Sequence, residues 1–212
     1  MRQLEKAAAE AADLPKKREI LEGARRVFRA EGFDGASMGQ IAQAAGVSKG
    51  TLYVYFPSKE ALFQELVLLD RAKAAEQLFV FDEDDTDVRR LLQRAGESFV
   101  STMIEPDHIA LIRMVMGASE KFPDAGRLFY ETGPRRGSAR LAELLRKQVE
   151  AGRLVIDEDL ELAAVHFLSL CQGQLVKPLL FGCPVQPTAK DIERTVASAV
   201  TIFLRAFGPK PA

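Results

Sequence analysis

Side chains that can contact a nucleic acid are concentrated between residues 48 and 59. They are Ser48, Lys49, Gly50, Thr51, Tyr53, Tyr55 and Lys59. Leu52 and Phe56, four residues apart, form the inward face of a short helix and leave most of the others outside. Lysine and hydroxyl groups bind phosphates or base edges, and Gly50 allows the backbone to come close. The spacing therefore predicts a short helix that can enter a DNA groove.

The residues before this helix predict a helix-turn-helix. Ser37 and Gln40 form a capping box that starts a first helix over about 38–45. Gly46 ends it, because a sharp turn between helices commonly needs a left-handed residue. Ser48 then caps the second helix, over about 49–55.

The residues after it predict where the second helix ends and the next helix begins. Pro57 pushes Phe56 out of helical geometry and ends the second helix. Ser58 opens a longer helix, whose first N–H groups can hold one more phosphate together with Lys59.

Each of these residues also has an ordinary structural interpretation. Ser37 and Ser48 can serve as caps only, Tyr53 can be a core aromatic, and Lys49 and Lys59 can be solvated lysines. Only their order and spacing together are specific.

The run from Ile41 to Leu62 closely resembles the DNA-binding domain of TetR-type transcriptional regulators, over about 15–66. Residues 111–182 are similar to the ligand domain of the AefR-like subgroup. The resemblance implies an all-helical homodimer that represses transcription until a small molecule binds its C-terminal domain. It also implies which residues contact DNA: by position they are Ser37, Lys49, Thr51, Tyr53, Tyr55 and Lys59. At position 54 family members often have an aromatic residue or histidine, whereas this chain has Val54.

Composition and charge fit a soluble globular protein with a local polyanion contact. The chain has 212 residues, of which 47% are apolar and 28% charged. Its net charge is −1, but residues 14–59 hold eight lysines and arginines against four acids. The remainder holds 21 basic and 26 acidic residues, so a basic module accompanies an acidic body.

Two cysteines, Cys171 and Cys183, lie in apolar surroundings without metal-ligand spacing, which predicts buried free thiols, with a redox switch as the alternative. The sequence lacks a membrane-spanning run and a signal-peptide pattern, so we expect a cytoplasmic protein. The acidic run from Phe81 to Asp87 predicts an exposed loop; its spacing fits no EF-hand, and we expect neither a metal nor another cofactor.

Apolar periodicity predicts an all-α fold of about nine helices, which begins with a three-helix helix-turn-helix domain. The resemblance implies that the helices after it form a ligand-binding and dimerisation domain. The predicted limits are 1–14 for an N-terminal tail, 15–62 for the DNA-binding domain, 63–207 for the second domain and 208–212 for a C-terminal tail. The first helix is expected over 15–31, with residues 1–13 left open between a frayed tail and a helical extension. One apolar helix is expected over 160–181 and a last helix, capped by Thr188 with Asp191, up to about Phe207.

The last two helices have more apolar surface than one subunit needs, which predicts a four-helix dimer interface, with core packing as the alternative. The interface candidates are Ala163, Leu170, Gln174, Ser198, Ala199, Ile202 and Phe203. A possible effector pocket has apolar candidates and the polar anchors Arg113, His166 and Gln172. The apolar ones are Phe99, Met103, Ile112, Met116, Phe122, Phe129 and Phe167, for which plain core packing is the alternative. This lining favours a hydrophobic or amphipathic effector.

Three classes of function compete. A ligand-responsive repressor is favoured, and an activator or an architectural DNA-binding protein without effector remains an alternative. An enzyme is disfavoured, because the chain has only two histidines, His108 and His166, and lacks GxSxG, HExxH and P-loop motifs.

Overall fold

A computed structural model of the chain describes the backbone of residues 2–77 and 86–209, and the side chains of residues 15–70 and 86–209. The expected all-α class is confirmed, with eleven helices within these ranges. They are α1 Arg2–Gly35, α2 Met38–Ala44, α3 Lys49–Tyr55, α4 Lys59–Gln77, α5 Val88–Met103, α6 Pro106–Ser119, α7 Pro123–Thr132, α8 Pro134–Glu150, α9 Leu160–Gln172, α10 Val176–Leu180 and α11 Ala189–Phe207.

Helix α1 is longer than the expected 15–31. It starts at Arg2 and continues through Pro15, so of the two possibilities for residues 1–13 the structure has the helical extension. Proline removes one helical hydrogen bond, but the turns on either side continue past it. At Gly32 the backbone has φ 69° and ψ 178°, which breaks the helix at the residue where its end is expected.

Residues 2–70 and 113–129 form one compact unit. The inner stripe of α1, made by Ile20, Ala24 and Phe28, is fully buried. Gly23 lets α1 approach the end of α2, since a Cβ atom there would lie 2.7 Å from the Cβ of Ala45. Phe28 and Phe63 meet edge to face with 5.1 Å between ring centroids, which is an arrangement that aromatic pairs prefer.

The segment 113–129, expected in the second domain, packs in this first unit. Phe122 stacks on Phe33 with ring centroids 5.5 Å apart, and Lys121 Nζ lies 2.6 Å from Asp34 Oδ2. The chain between α6 and α7 is thereby held against the last turn of α1. The predicted domain limits stay predictions, but this contact joins the two parts of the unit.

Residues 71–77, 86–112 and 130–209 form the second unit. Helix α8 packs on α9, and α11 packs on both α5 and α9 around a common core. Phe167 and Phe203, both buried, meet edge to face at 5.3 Å. The capping box of Thr188 and Asp191 starts α11 as expected.

The prediction of a single helix over 160–181 is wrong, because this segment forms two helices. Gly173, at φ 45°, ends α9, and α10 begins only at Val176. A Cβ atom at Gly173 would lie 2.9 Å from Thr195 Cγ2, so close packing on α11 accompanies the break.

The prediction that both cysteines are buried is wrong for Cys183, which is exposed. Cys171 is fully buried as expected. Burial raises the pKa of the Cys171 thiol to about 12. Residues 81–85 of the acidic run lie outside the described residues. Among the described helices none is long and apolar enough to cross a membrane. No group of three potential metal-ligating side chains occurs within the described ranges.

Candidate nucleic-acid interface

Both helices of the predicted helix-turn-helix begin at the expected serines. Ser37 Oγ accepts from the Gln40 backbone N–H at 3.3 Å, and Gln40 Oε1 accepts from the Ser37 N–H at 2.9 Å. Ser48 Oγ accepts from the Thr51 N–H at 3.0 Å and lies 2.8 Å from Thr51 Oγ1. These serines are therefore caps, and both residues are exposed.

The turn between the helices has the expected geometry. Gly46 has φ 66°, and the Val47 N–H donates to the Ala42 carbonyl at 3.0 Å. Arg26 of α1 donates to the carbonyl of Ala44, which satisfies one of the acceptors left open at the end of α2. Sequence reasoning missed this cap, because a contact between distant residues leaves no local pattern.

Helix α3 divides into a buried side and an open side. Leu52 and Phe56 are buried as expected, and Phe56 has extended geometry with φ −136°. Lys49 and Gly50 are exposed, and 51% of the Tyr53 surface is open to solvent. Thr51 and Tyr55 are half-buried. The open side therefore offers an amine, hydroxyls and bare backbone to a partner.

Lys49 crosses the start of α2. A Cβ atom at Gly39 would lie 3.0 Å from Lys49 Cε and 3.3 Å from its Nζ. The same Cβ would lie 3.9 Å from Ser37 Oγ, so the amine of α3 and the cap of α2 share one surface. The chain thus brings Ser37 and Lys49 together across the turn, and Gly39 leaves the space for it.

Lys59 has partners within the chain that the sequence did not predict. Its ammonium donates to the carbonyl oxygens of Phe33 at 2.7 Å, Ala36 at 3.0 Å and Asp34 at 3.5 Å. It also lies 4.5 Å from the centroid of the Phe33 ring. Lys59 therefore ties the start of α4 to the end of α1 and to Ala36 directly after it. The contact with a phosphate, which the sequence predicted, stays a prediction.

Other basic residues of α1 are also paired. Arg25 forms a bidentate salt bridge with Asp70, in which each guanidinium nitrogen lies 2.5 Å from one carboxylate oxygen. Both side chains are largely buried. Lys17 Nζ lies 2.5 Å from Glu65 Oε1. Lys49, by contrast, makes no ion pair or side-chain hydrogen bond with any residue that the structure describes. Its charge is therefore available to an external anion.

The ten candidate effector residues do not share one unit. Arg113, Met116, Phe122 and Phe129 belong to the first unit, whereas Phe99, Met103, Ile112, His166, Phe167 and Gln172 belong to the second. Sequence periodicity could not assign them, because it predicts an inward face but not the element that it faces.

Four of these ten side chains either pack on a neighbouring ring or are largely open to solvent. Phe122 stacks on Phe33, and Phe167 meets Phe203 in the core, as the alternative of plain packing predicts. Met116 does not fit an apolar lining, because 66% of its surface is exposed. The His166 side chain is 53% exposed, with Nδ1 3.6 Å from Glu158 Oε1.

Five of the seven interface candidates line one open depression on α9 to α11, with a volume of about 670 Å³; they are Leu170, Gln174, Ser198, Ala199 and Ile202. Ala163 and Phe203 are buried in the core instead. Leu162, Val165 and Phe181 add exposed apolar surface on α9 and directly after α10. An apolar surface of this kind is typical of a contact with another protein chain.

Known proteins match this arrangement over both units. Residues 20–66 match the family model for bacterial regulatory proteins of the tetR family, and residues 90–209 match that for the AefR-like transcriptional repressor C-terminal domain. The HTH-type transcriptional regulator UidR of Escherichia coli is 45% identical over 60 residues. The transcriptional repressor AcnR of Corynebacterium efficiens is 43% identical, also over 60 residues. These alignments cover 28% of this chain and only about a third of either relative, 31% of UidR and 32% of AcnR.

Solved structures match over nearly the whole length. A TetR-family transcriptional regulator from Mesorhizobium loti has a TM-score of 0.83 and 27% identity, covering 92% of this chain and 98% of that one. The flavonoid-responsive regulator FrrA has a TM-score of 0.81 and 34% identity, covering 93% of this chain and 99% of that one.

Proposed function

Because this chain belongs to the TetR family of bacterial transcriptional regulators, we propose that it binds a palindromic DNA operator as a homodimer. It represses transcription until a small molecule binds its C-terminal half and releases it. Its partners are double-stranded DNA, a second copy of itself and that effector. We propose that it acts in the cytoplasm. The proposal includes no catalytic step and no cofactor.

The open side of α3 is the observation on which DNA binding rests. Lys49 has a charge that the chain leaves available, Tyr53 presents its hydroxyl, and Gly50 lets the helix axis come close to a base pair. In a helix-turn-helix the second helix lies in the major groove, with its first residues on the base edges. Ser37, Ser48, Thr51 and Tyr55 border the same surface and supply hydroxyls for phosphates.

The depression on α9 to α11 supports the homodimer. Leu170, Val185 and Ile202 line it and are exposed in the single chain. Burying apolar surface is the main favourable contribution to association. One short recognition helix reads few base pairs, so two copies on two half-sites multiply specificity.

The effector is proposed to be hydrophobic or amphipathic. Residues 90–209 match the AefR-like transcriptional repressor C-terminal domain, and one relative, FrrA, is named as a flavonoid-responsive regulator, which supports this choice. Flavonoids are flat aromatic compounds with hydroxyl groups, and they form a suitable first panel of test compounds.

The experiment is selection of bound fragments from the source genome, followed by affinity measurements at two salt concentrations. Recovery of a short palindrome supports the proposal, and release from it by a panel compound identifies the effector class. Binding that depends on salt but not on sequence would support an architectural protein instead. Failure to bind any fragment, with and without panel compounds, would contradict DNA binding. A reporter gene behind the recovered palindrome distinguishes a repressor from an activator.

A further inference from the structure

We propose that Val54 contacts the C5-methyl group of a thymine in each half-site and thereby specifies a T·A base pair. The inference rests on the proposed DNA binding and adds a residue that reads sequence. Resemblance alone leaves position 54 without a role, because this chain has no aromatic residue or histidine there.

The position of Val54 on α3 is the first argument. Successive residues of an α-helix are separated by about 100° around its axis, so residues two before and two after Leu52 lie opposite it. Those residues are Gly50 and Val54. Leu52 is fully buried, whereas 83% of the Val54 surface is exposed. Gly50 and Val54, one turn apart, therefore form the ridge of α3 that is farthest from the core.

The chemistry of the side chain is the second argument. Valine has no hydrogen-bonding group, so it cannot bind a phosphate or the polar edge of a base. Among the groups that base pairs present in the major groove, the thymine C5-methyl is the apolar one. An isopropyl group on the outermost ridge of a recognition helix complements that methyl group.

The neighbouring residues allow the required approach. A Cβ atom at Gly50 would meet only Ser48 Oγ, at 3.7 Å, so this part of the ridge is bare backbone. Methyl groups must come within about 4 Å of each other to make contact. Helix stability does not account for Val54, because valine is a poorer helix former than alanine and its side chain packs on little of this chain.

The test uses the highest-affinity duplex recovered from the genomic selection. Each thymidine is replaced in turn by deoxyuridine, symmetrically in both half-sites, which removes only the C5-methyl group. Affinities are measured for the unchanged protein, for Val54→Ala and for the control Val155→Ala, which alters an exposed valine of the second unit. Thermal unfolding followed by circular dichroism checks that all three fold.

We expect one thymidine position at which deoxyuridine weakens binding about fourfold per half-site, or roughly fifteenfold for a symmetric pair. That loss persists in Val155→Ala and disappears in Val54→Ala. Equal losses in the unchanged protein and Val54→Ala, or an operator without such a thymidine, would overturn the inference while leaving DNA binding intact. Absence of any specific duplex would overturn the proposed function, and this inference with it.

Discussion

The ammonium group of Lys59 lies over the ring of Phe33, with 4.5 Å between the nitrogen and the ring centroid. The same ammonium donates to the Phe33 carbonyl at 2.7 Å. Phe33 in turn stacks on Phe122, so one aromatic ring joins α4 to the segment that begins α7. Lys59 therefore has a positioning role in the N-terminal unit, whether or not DNA is present.

Lys59→Met should destabilise the N-terminal unit. It removes charge-assisted hydrogen bonds to the Phe33 and Ala36 carbonyls, a loss of about 1–3 kcal/mol in the free energy of unfolding. Urea unfolding measures it. Operator affinity should fall as well, because a loosened unit positions α3 less precisely.

The matched control is Lys121→Met, which removes an exposed ion pair with Asp34 in the same unit. Exposed pairs contribute little to stability, so we expect a much smaller effect. A stable Lys59→Met protein whose salt slope is shallower by about two units per dimer would show instead that Lys59 binds a phosphate.

Lys49→Ala should weaken operator binding and leave the fold unchanged. If each Lys49 neutralises one phosphate, the slope of log affinity against log salt becomes shallower by about two units for a dimer. Tyr53→Phe removes only a hydroxyl, so its operator affinity should also fall, with the salt slope retained. Affinities equal to that of the unchanged protein in both variants would contradict the assignment of α3 as the recognition helix.

Gly39→Ala separates DNA binding from stability. The added methyl group would lie 3.0 Å from Lys49 Cε, so the flexible end of Lys49 has to move. Alanine is the better helix former, so the unfolding temperature should not fall. Operator affinity should fall several-fold, and the substitution should have no further effect in a Lys49→Ala background. Additive losses in the double variant would mean that Gly39 acts independently of Lys49.

The sequence predicted the local features of the interface and little of its long-range support. Capping by Ser37 and Ser48, burial of Leu52 and the exit at Phe56 follow from spacings of a few residues, and the structure has all of them. The contacts of Lys59 join residues at least 23 positions apart, and that of Arg26 spans 18. No periodicity encodes such contacts. For the same reason the sequence could not show that Phe122 and Met116 belong to one unit and the polar anchor His166 to the other.

The two thiols should differ in reactivity. Iodoacetamide at pH 8 should alkylate Cys183, which is exposed, and leave Cys171 until the protein is unfolded, with mass spectrometry as the readout. With a pKa of about 12, Cys171 is ionised to the extent of only about one part in ten thousand at that pH. Alkylation of both cysteines at equal rates in the folded protein would contradict the burial.

The same burial gives a stability change at high pH. The unfolded thiol loses its proton near the ordinary cysteine pKa of 9.0, whereas the folded thiol, with a pKa of about 12, keeps it longer. The unfolded state therefore binds fewer protons in this window, and the free energy of unfolding should fall as pH rises from 9 to 12. Cys171→Ala should lose this part of the pH dependence.

Ile202→Glu should produce monomers. Ile202 lines the depression on α9 to α11 and 49% of its surface is exposed, so a single chain can accept the charge at little cost. In a dimer the same carboxylate would lose its water on burial, which is strongly unfavourable. Sedimentation equilibrium should show the monomer mass, and operator affinity should fall to that of one half-site. Val155→Glu is the control, since Val155 has the same 49% exposure and does not line the depression. If both variants remained dimers, the interface would have to lie elsewhere; if both were monomers, the effect would not be specific to this surface.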